Sequence, residues 1–144
     1  MLESAKAFMR ACDEKGLKYR DPRDLDSGKS KVTLGVTGSA GNTYEVQYVF
    51  DDDNESVWLY VPGLLRTDKE HYAQMLIACN RLNNQYRWLK FILDKDMDIC
   101  IETDAVIDLQ SVGPVCTELF YRIMSITKSA YPTLMKIQWG GANG

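Results

Sequence analysis

Residues 31–63 read KVTLGVTGSAGNTYEVQYVFDDDNESVWLYVPG, and the period of this stretch decides the fold. Val32, Leu34 and Val36 alternate with Thr33, Gly35 and Thr37, and Tyr44, Val46, Tyr48 and Phe50 alternate with Glu45 and Gln47. A two-residue period is the signature of strands with one buried face. Gly38 to Asn42 supplies the flexible residues of a hairpin loop between them. The acidic run Asp51 to Glu55 turns the chain into Val57, Leu59 and Val61, and Pro62-Gly63 closes a three-stranded meander.

Outward from the meander the period changes to that of a helix. Leu2, Ala5, Phe8, Met9 and Cys12 recur at three and four residues, which predicts a helix over 2–15 stopped by Gly16. Leu17 to Ser30 is a polar connection with room for one short edge strand. Downstream, Thr67 and Glu70 have the spacing of a capping box, and Tyr72, Met75, Leu76, Cys79 and Leu82 supply the stripe of a helix over 67–83, ended by Asn83-Asn84. Trp88 to Leu93 and Met97 to Thr103 form a second hairpin around Asp94-Lys95-Asp96. A last helix over 114–130 starts near Pro114 and is broken or kinked by Pro132.

The order α-β-β-β-α-β-β-α predicts an α+β fold, with five principal strands in one antiparallel sheet and three helices on one face. The 144 residues are expected to form a single domain, 1–144, which can bury a core without disulfides. One sheet face then stays uncovered. On the assumed pleat Val49, Trp58, Tyr60, Trp88 and Ile92 point to it, so Trp58, Tyr60, Trp88 and Ile92 are the candidate partner-binding residues. The competing expectation is that the N-terminal connection or the segment from Leu134 to Trp139 folds over these residues.

Seventeen Lys and Arg against twenty Asp and Glu give a net charge of −3, which disfavours nucleic acid and anionic lipid as partners. No basic leader with an apolar core opens the sequence and no apolar run approaches the roughly 18 residues of a membrane span, so a cytoplasmic protein is expected. Cys12, Cys79, Cys100 and Cys116 form no C-x-x-C pair and fit packed, reduced thiols.

The motifs of chemistry are incomplete. Asp94, Asp96 and Asp98 copy three calcium-loop positions, but Ile99 stands where Gly is needed and Ala105 where a bidentate Glu is needed. Asp51, Asp53 and Glu55 fail in the same way, with Ser56 at the glycine position. Ser125-Ile126-Thr127-Lys128 spells S-x-x-K without its S-D-N or K-T-G partners. His71 is the sole histidine, and Cys79 and Cys116 fall on apolar stripes that make thiols inert. No glycine-rich phosphate loop occurs. No catalytic residue, cofactor or metal is therefore expected; a small enzyme with an unrecognised site is the alternative.

Asn80-Arg81-Leu82-Asn83-Asn84, followed by an aromatic strand and by the Gly113-Pro114 entry into a long apolar helix ending at Tyr131-Pro132, resembles the YbjN-like domain family of bacterial sensory-transduction regulators. The resemblance covers nearly the whole chain and is strongest from Thr67 to Pro132. It implies a fold similar to type III secretion chaperones: a small α+β domain, often a homodimer, that works by holding other proteins and has no known active site or cofactor. The acidic tip Asp51 to Glu55 departs from the family pattern.

Overall fold

The computed structural model describes residues 1–140; the last four residues of the expected domain lie outside the described ones. Its elements are α1 (Glu3–Lys15), β1 (Tyr19–Asp24), β2 (Ser30–Thr37), β3 (Thr43–Phe50), β4 (Ser56–Arg66), α2 (Tyr72–Gln85), β5 (Lys90–Leu93), β6 (Asp98–Val106) and α3 (Val112–Trp139). The strands form one sheet in the order β1-β2-β3-β4-β6-β5, and each pairing is antiparallel. The sheet thus has six strands where five were expected.

The alternation in β2, β3 and β4 sends Val32, Leu34, Val46, Tyr48, Phe50, Val57, Leu59 and Val61 to one face, where all are buried. Ile99 and Ile101 of β6 and Phe91 of β5 continue that face. Phe8 and Cys12 of α1, Met75 and Cys79 of α2, and Cys116, Ile123 and Leu134 of α3 share one core cluster with it. The helices therefore close over a single face, as the patterning predicts.

The sixth strand is β1, which lies in the polar connection and pairs with β2 across a register irregularity between Arg20 and Arg23. Five of its six residues are exposed, so it shows no hydrophobic alternation by which to read it. Asp21 has φ 51° and Pro22 offers no N–H, two devices that keep an edge strand from pairing with another chain.

Two boundaries shift for a related reason. Pro62-Gly63 does not end β4: Gly63 takes φ 53°, the register slips between Val61 and Leu65, and pairing with β6 resumes at Leu65 opposite Ile99. A bulge absorbs the residue that cannot donate to the ladder. Pro132 likewise does not end α3, which runs on to Trp139. Leu134 is fully buried, and Gln138 binds two groups ahead of α2: its Oε1 accepts from Thr67 Oγ1 at 2.6 Å and its Nε2 donates to Asp68 Oδ2 at 2.9 Å. This packing outweighs the one helical hydrogen bond that Pro132 cannot make.

Thr67 therefore does not cap α2, which begins at Tyr72. Asp68 instead braces the turn ahead of the helix, its Oδ1 accepting from the His71 backbone N–H at 3.0 Å and lying 2.8 Å from His71 Nδ1. Helix α1 does end at Gly16, whose φ of 71° allows Gly16 N–H and Leu17 N–H to reach the Asp13 and Cys12 carbonyls. At the start of α1 the Ser4 N–H donates to Asn54 Oδ1 at 2.9 Å. The acidic tip thus anchors a helix N-terminus, and the Lys29–Asp51 ion pair at 2.9 Å holds the tip to the β1–β2 turn.

At the other sheet edge Asn83 lies inside α2, which runs on to Gln85 and does not end at Asn83-Asn84. Its Nδ2 donates to the Phe91 carbonyl at 3.0 Å and its Oδ1 accepts from the Phe91 N–H at 2.7 Å. One side-chain amide stands in for the missing neighbour of β5, satisfying a donor and an acceptor that an edge leaves open. Asn83→Ala is expected to destabilise the protein by about 1–3 kcal/mol, two hydrogen bonds at 0.5–1.5 kcal/mol each. Asn83→Asp is expected to be no better, because an oxygen then faces the Phe91 carbonyl. Urea titrations of the three proteins check this, with unchanged midpoints as the contrary result.

Candidate functional site

No helix among the described residues covers the second face of the sheet, and the pairings order its residues in rows. One row runs Lys31, Val49, Trp58, Asp104 across β2, β3, β4 and β6. The next runs Arg20, Thr33, Gln47, Tyr60, Glu102, Lys90 from β1 to β5. Ile92 lies opposite Cys100 at the β5 edge.

Trp58 and Tyr60 are two residues apart on β4, so they share this face, and their rings stack at 4.8 Å with 16° between planes. Both are half-buried, as is Ile92. Around them Thr33, Val49 and Cys100 are buried although no helix lies above them. Side chains on the face itself produce that burial. Arg20 reaches across Gly35, where a Cβ would sit 3.3 Å from its guanidinium, to pair with Glu45 at 3.0 Å. The competing expectation of a covering segment fails: the N-terminal connection contributes β1, which widens the sheet, and Leu134 to Trp139 belong to α3 on the helix side.

Trp88 is placed elsewhere. It precedes β5 with φ 84°, a left-handed backbone that takes its side chain out of the alternation. Its ring lies 4.6 Å from Arg122 Cζ of α3 and 5.3 Å from Arg87 Cζ, while its carbonyl accepts from Thr103 Oγ1 at 2.6 Å. The sequence-based set of four is thus corrected to three on the open face, with Trp88 against α3.

A polar chain crosses the face near Tyr60. Its hydroxyl donates to Cys100 Sγ at 3.3 Å, and Cys100 Sγ lies 3.4 Å from Asp94 Oδ2. The Cys100 hydrogen bond and burial hold the Tyr60 phenol well above its ordinary range. Backbone donation from Asp98 holds the Asp94 carboxyl below its own. Asp94 Oδ1 accepts from the Asp96 and Asp98 N–H groups at 2.9 Å each, so this carboxylate organises a turn.

The residues that could carry chemistry are dispersed or engaged. Asp68, Glu70 and His71 bring ligand atoms within 4.8 Å of one another, a proximity the helix reading of 67–83 concealed. Both oxygens of Asp68 are already used, by His71 and by Gln138. Burial pushes the Cys12 and Cys79 thiols up to about 11 and Cys116 higher still, so thiolate is scarce at neutral pH. Ser125 and Lys128 are exposed on α3. Gln138, Asn54 and the strand-pinning role of Asn83 escape sequence reading, because each acts on a partner 8 to 71 residues away. No helix among the described residues is long and apolar enough to cross a membrane.

A six-stranded antiparallel sheet with helices on one face and an open aromatic face defines a small α+β domain. The family model titled "Putative bacterial sensory transduction regulator" matches residues 8–140, and the chain belongs to this family, YbjN. Comparison with curated proteins gives no match.

The four cysteines are free and buried, so labelling with a thiol reagent at neutral pH should be slow in the native protein and reach four equivalents in denaturant. Rapid native labelling of one thiol would point instead to a reactive cysteine.

Proposed function

We propose that this protein is a non-catalytic, cytoplasmic protein-binding module that works as one unit and associates with a second copy of itself through the open face of the sheet. The observation that carries the reading is the Trp58–Tyr60 stack at the middle of a face that no segment of the described chain covers. Aromatic anchors of this kind dominate the energetics of protein interfaces.

The charges of one row fit a second copy as occupant. Lys31 of β2 and Asp104 of β6 lie in the same row, and neither is in an ion pair among the described residues. Turning one copy by a half-rotation about an axis along the strands, between β3 and β4, reverses the row. Lys31 of each copy then faces Asp104 of the other, and Val49 faces Trp58, the self-complementarity of a two-fold interface. Four free thiols suit a reducing compartment. A chaperone-like hold on other proteins, which the resemblance implies, would use the same face or the dimer it forms.

Sedimentation equilibrium tests the reading. Wild type is expected to dimerise, and Trp58→Ala to weaken the dimer by tens of fold, the equivalent of about 2 kcal/mol at an aromatic anchor. Lys31→Asp and Asp104→Lys should each weaken it and together restore it, while Trp88→Ala leaves it unchanged. A monomeric wild type, or a dimer that Trp88→Ala breaks and Trp58→Ala spares, contradicts the proposal.

A further inference from the structure

The net charge of −3 hides a segregation of sign along the chain. Residues 71–93, which hold α2 and β5, carry Arg81, Arg87 and Lys90 and no Asp or Glu. Residues 119–139 of α3 carry Arg122, Lys128 and Lys136 and again no acid. All twenty acids lie outside these two stretches. Helices α2 and α3 are in contact on the helix side of the sheet, so the fold brings the two acid-free stretches together.

Between α2 and the end of α3 lies a groove of about 410 Å³. Ile77, Ala78 and Leu82 line it from α2, Thr133 and Ile137 line it from α3, and Arg81 stands at its side. Ala78 and Leu82 are buried, whereas Ile77 is 53% exposed, a large apolar side chain left in water on a helix whose core contacts are already made. Arg81 and Lys136, the neighbour of Ile137, are exposed and in no ion pair among the described residues. Lys90 and Arg122, by contrast, are paired with Glu102 and Glu118. Asp68 and Glu70 lie ahead of the first turn of α2, and Asp68 is engaged by His71 and Gln138.

We infer that this groove docks an acidic amphipathic helix of a partner protein, its apolar stripe on Ile77, Leu82 and Ile137 and its Asp or Glu side chains beside Arg81 and Lys136. An apolar groove between two helices is the seat that an amphipathic helix fills with anchors at i, i+4 and i+7. The α2 wall from Gln74 to Gln85 spans about 17 Å, which matches three turns of such a helix. Unpaired cations beside an acid-free groove attract an acidic partner and reject a basic one. A second copy seated here would bring Arg81 and Lys136 against their own kind. A bilayer is flat and leaves a groove between helices unfilled, and a nucleic acid would set phosphates against the exposed Ile77. The groove and the aromatic face lie on opposite sides of the sheet, so this surface stands independently of the proposed dimer.

Four designed helical peptides of about 15 residues test the inference. Two carry a Leu stripe and two a Phe stripe at i, i+4 and i+7, and in each pair one is filled with Ala and Glu and the other with Ala and Lys. Each is titrated into the full chain and followed by fluorescence polarisation and by amide spectra. At least one Glu peptide is expected to bind saturably, to shift residues 74–85 and 133–137, and to weaken with added salt, its Lys twin being about tenfold weaker or silent. Arg81→Glu and Lys136→Glu, both surface changes, should each weaken the Glu peptide about tenfold, and Ile77→Ser should weaken it too, while Trp58→Ala leaves it unchanged. The inference is overturned if no Glu peptide binds, if Glu and Lys peptides bind alike, if the shifted residues lie elsewhere, or if both charge reversals leave the affinity unchanged. Phosphatidylglycerol vesicles or duplex DNA shifting residues 74–85 where no peptide does would overturn it in favour of a membrane or a nucleic acid.

Discussion

Tyr48 stands where the sheet meets two of the helices, and the arrangement of the molecule depends on how its ring and hydroxyl are both satisfied. The ring is fully buried, 4.2 Å from Phe8 of α1 and stacked with Phe50 at 6.2 Å. The hydroxyl donates to the Cys116 carbonyl of α3 at 2.9 Å. A buried phenol without that acceptor would be costly, so the bond fixes how close α3 lies and which turn faces β3. Burial holds the phenol far above its ordinary range, which keeps it a donor at any physiological pH. With α1 and α3 committed to this side and to each other, the inner face is closed. The opposite face is left to side chains of the sheet alone.

Much of this was legible as period. Val32 to Val36 and Tyr44 to Phe50 declare their buried side because a solvated face alternates with a packed one, and Gly16 declares the end of α1 through its left-handed backbone. The losses have physical causes. β1 is almost wholly exposed, so no hydrophobic alternation marks it. Thr67 has capping-box spacing but is drawn instead to Gln138, 71 residues away, a tertiary bond that local pattern cannot anticipate. Pro132 looks like a stop, yet the burial of Leu134 and the Gln138 clamp carry α3 through it.

The candidate site divides in the same way. Trp58, Tyr60 and Ile92 lie within regular strands and appear on the face that alternation gives them. Trp88 lies two residues ahead of β5, and its positive φ cancels the inference for it alone.

The central claim is that the open sheet face meets a second copy. A rival surface exists on α2, where Leu76 and Ile77 are 44% and 53% exposed. Isotope-filtered nuclear Overhauser spectra of an equal mixture of labelled and unlabelled protein distinguish the two directly. The account predicts contacts between copies from the Trp58 and Tyr60 rings to Val49 and its neighbours. Contacts between copies confined to Leu76 and Ile77 would contradict it.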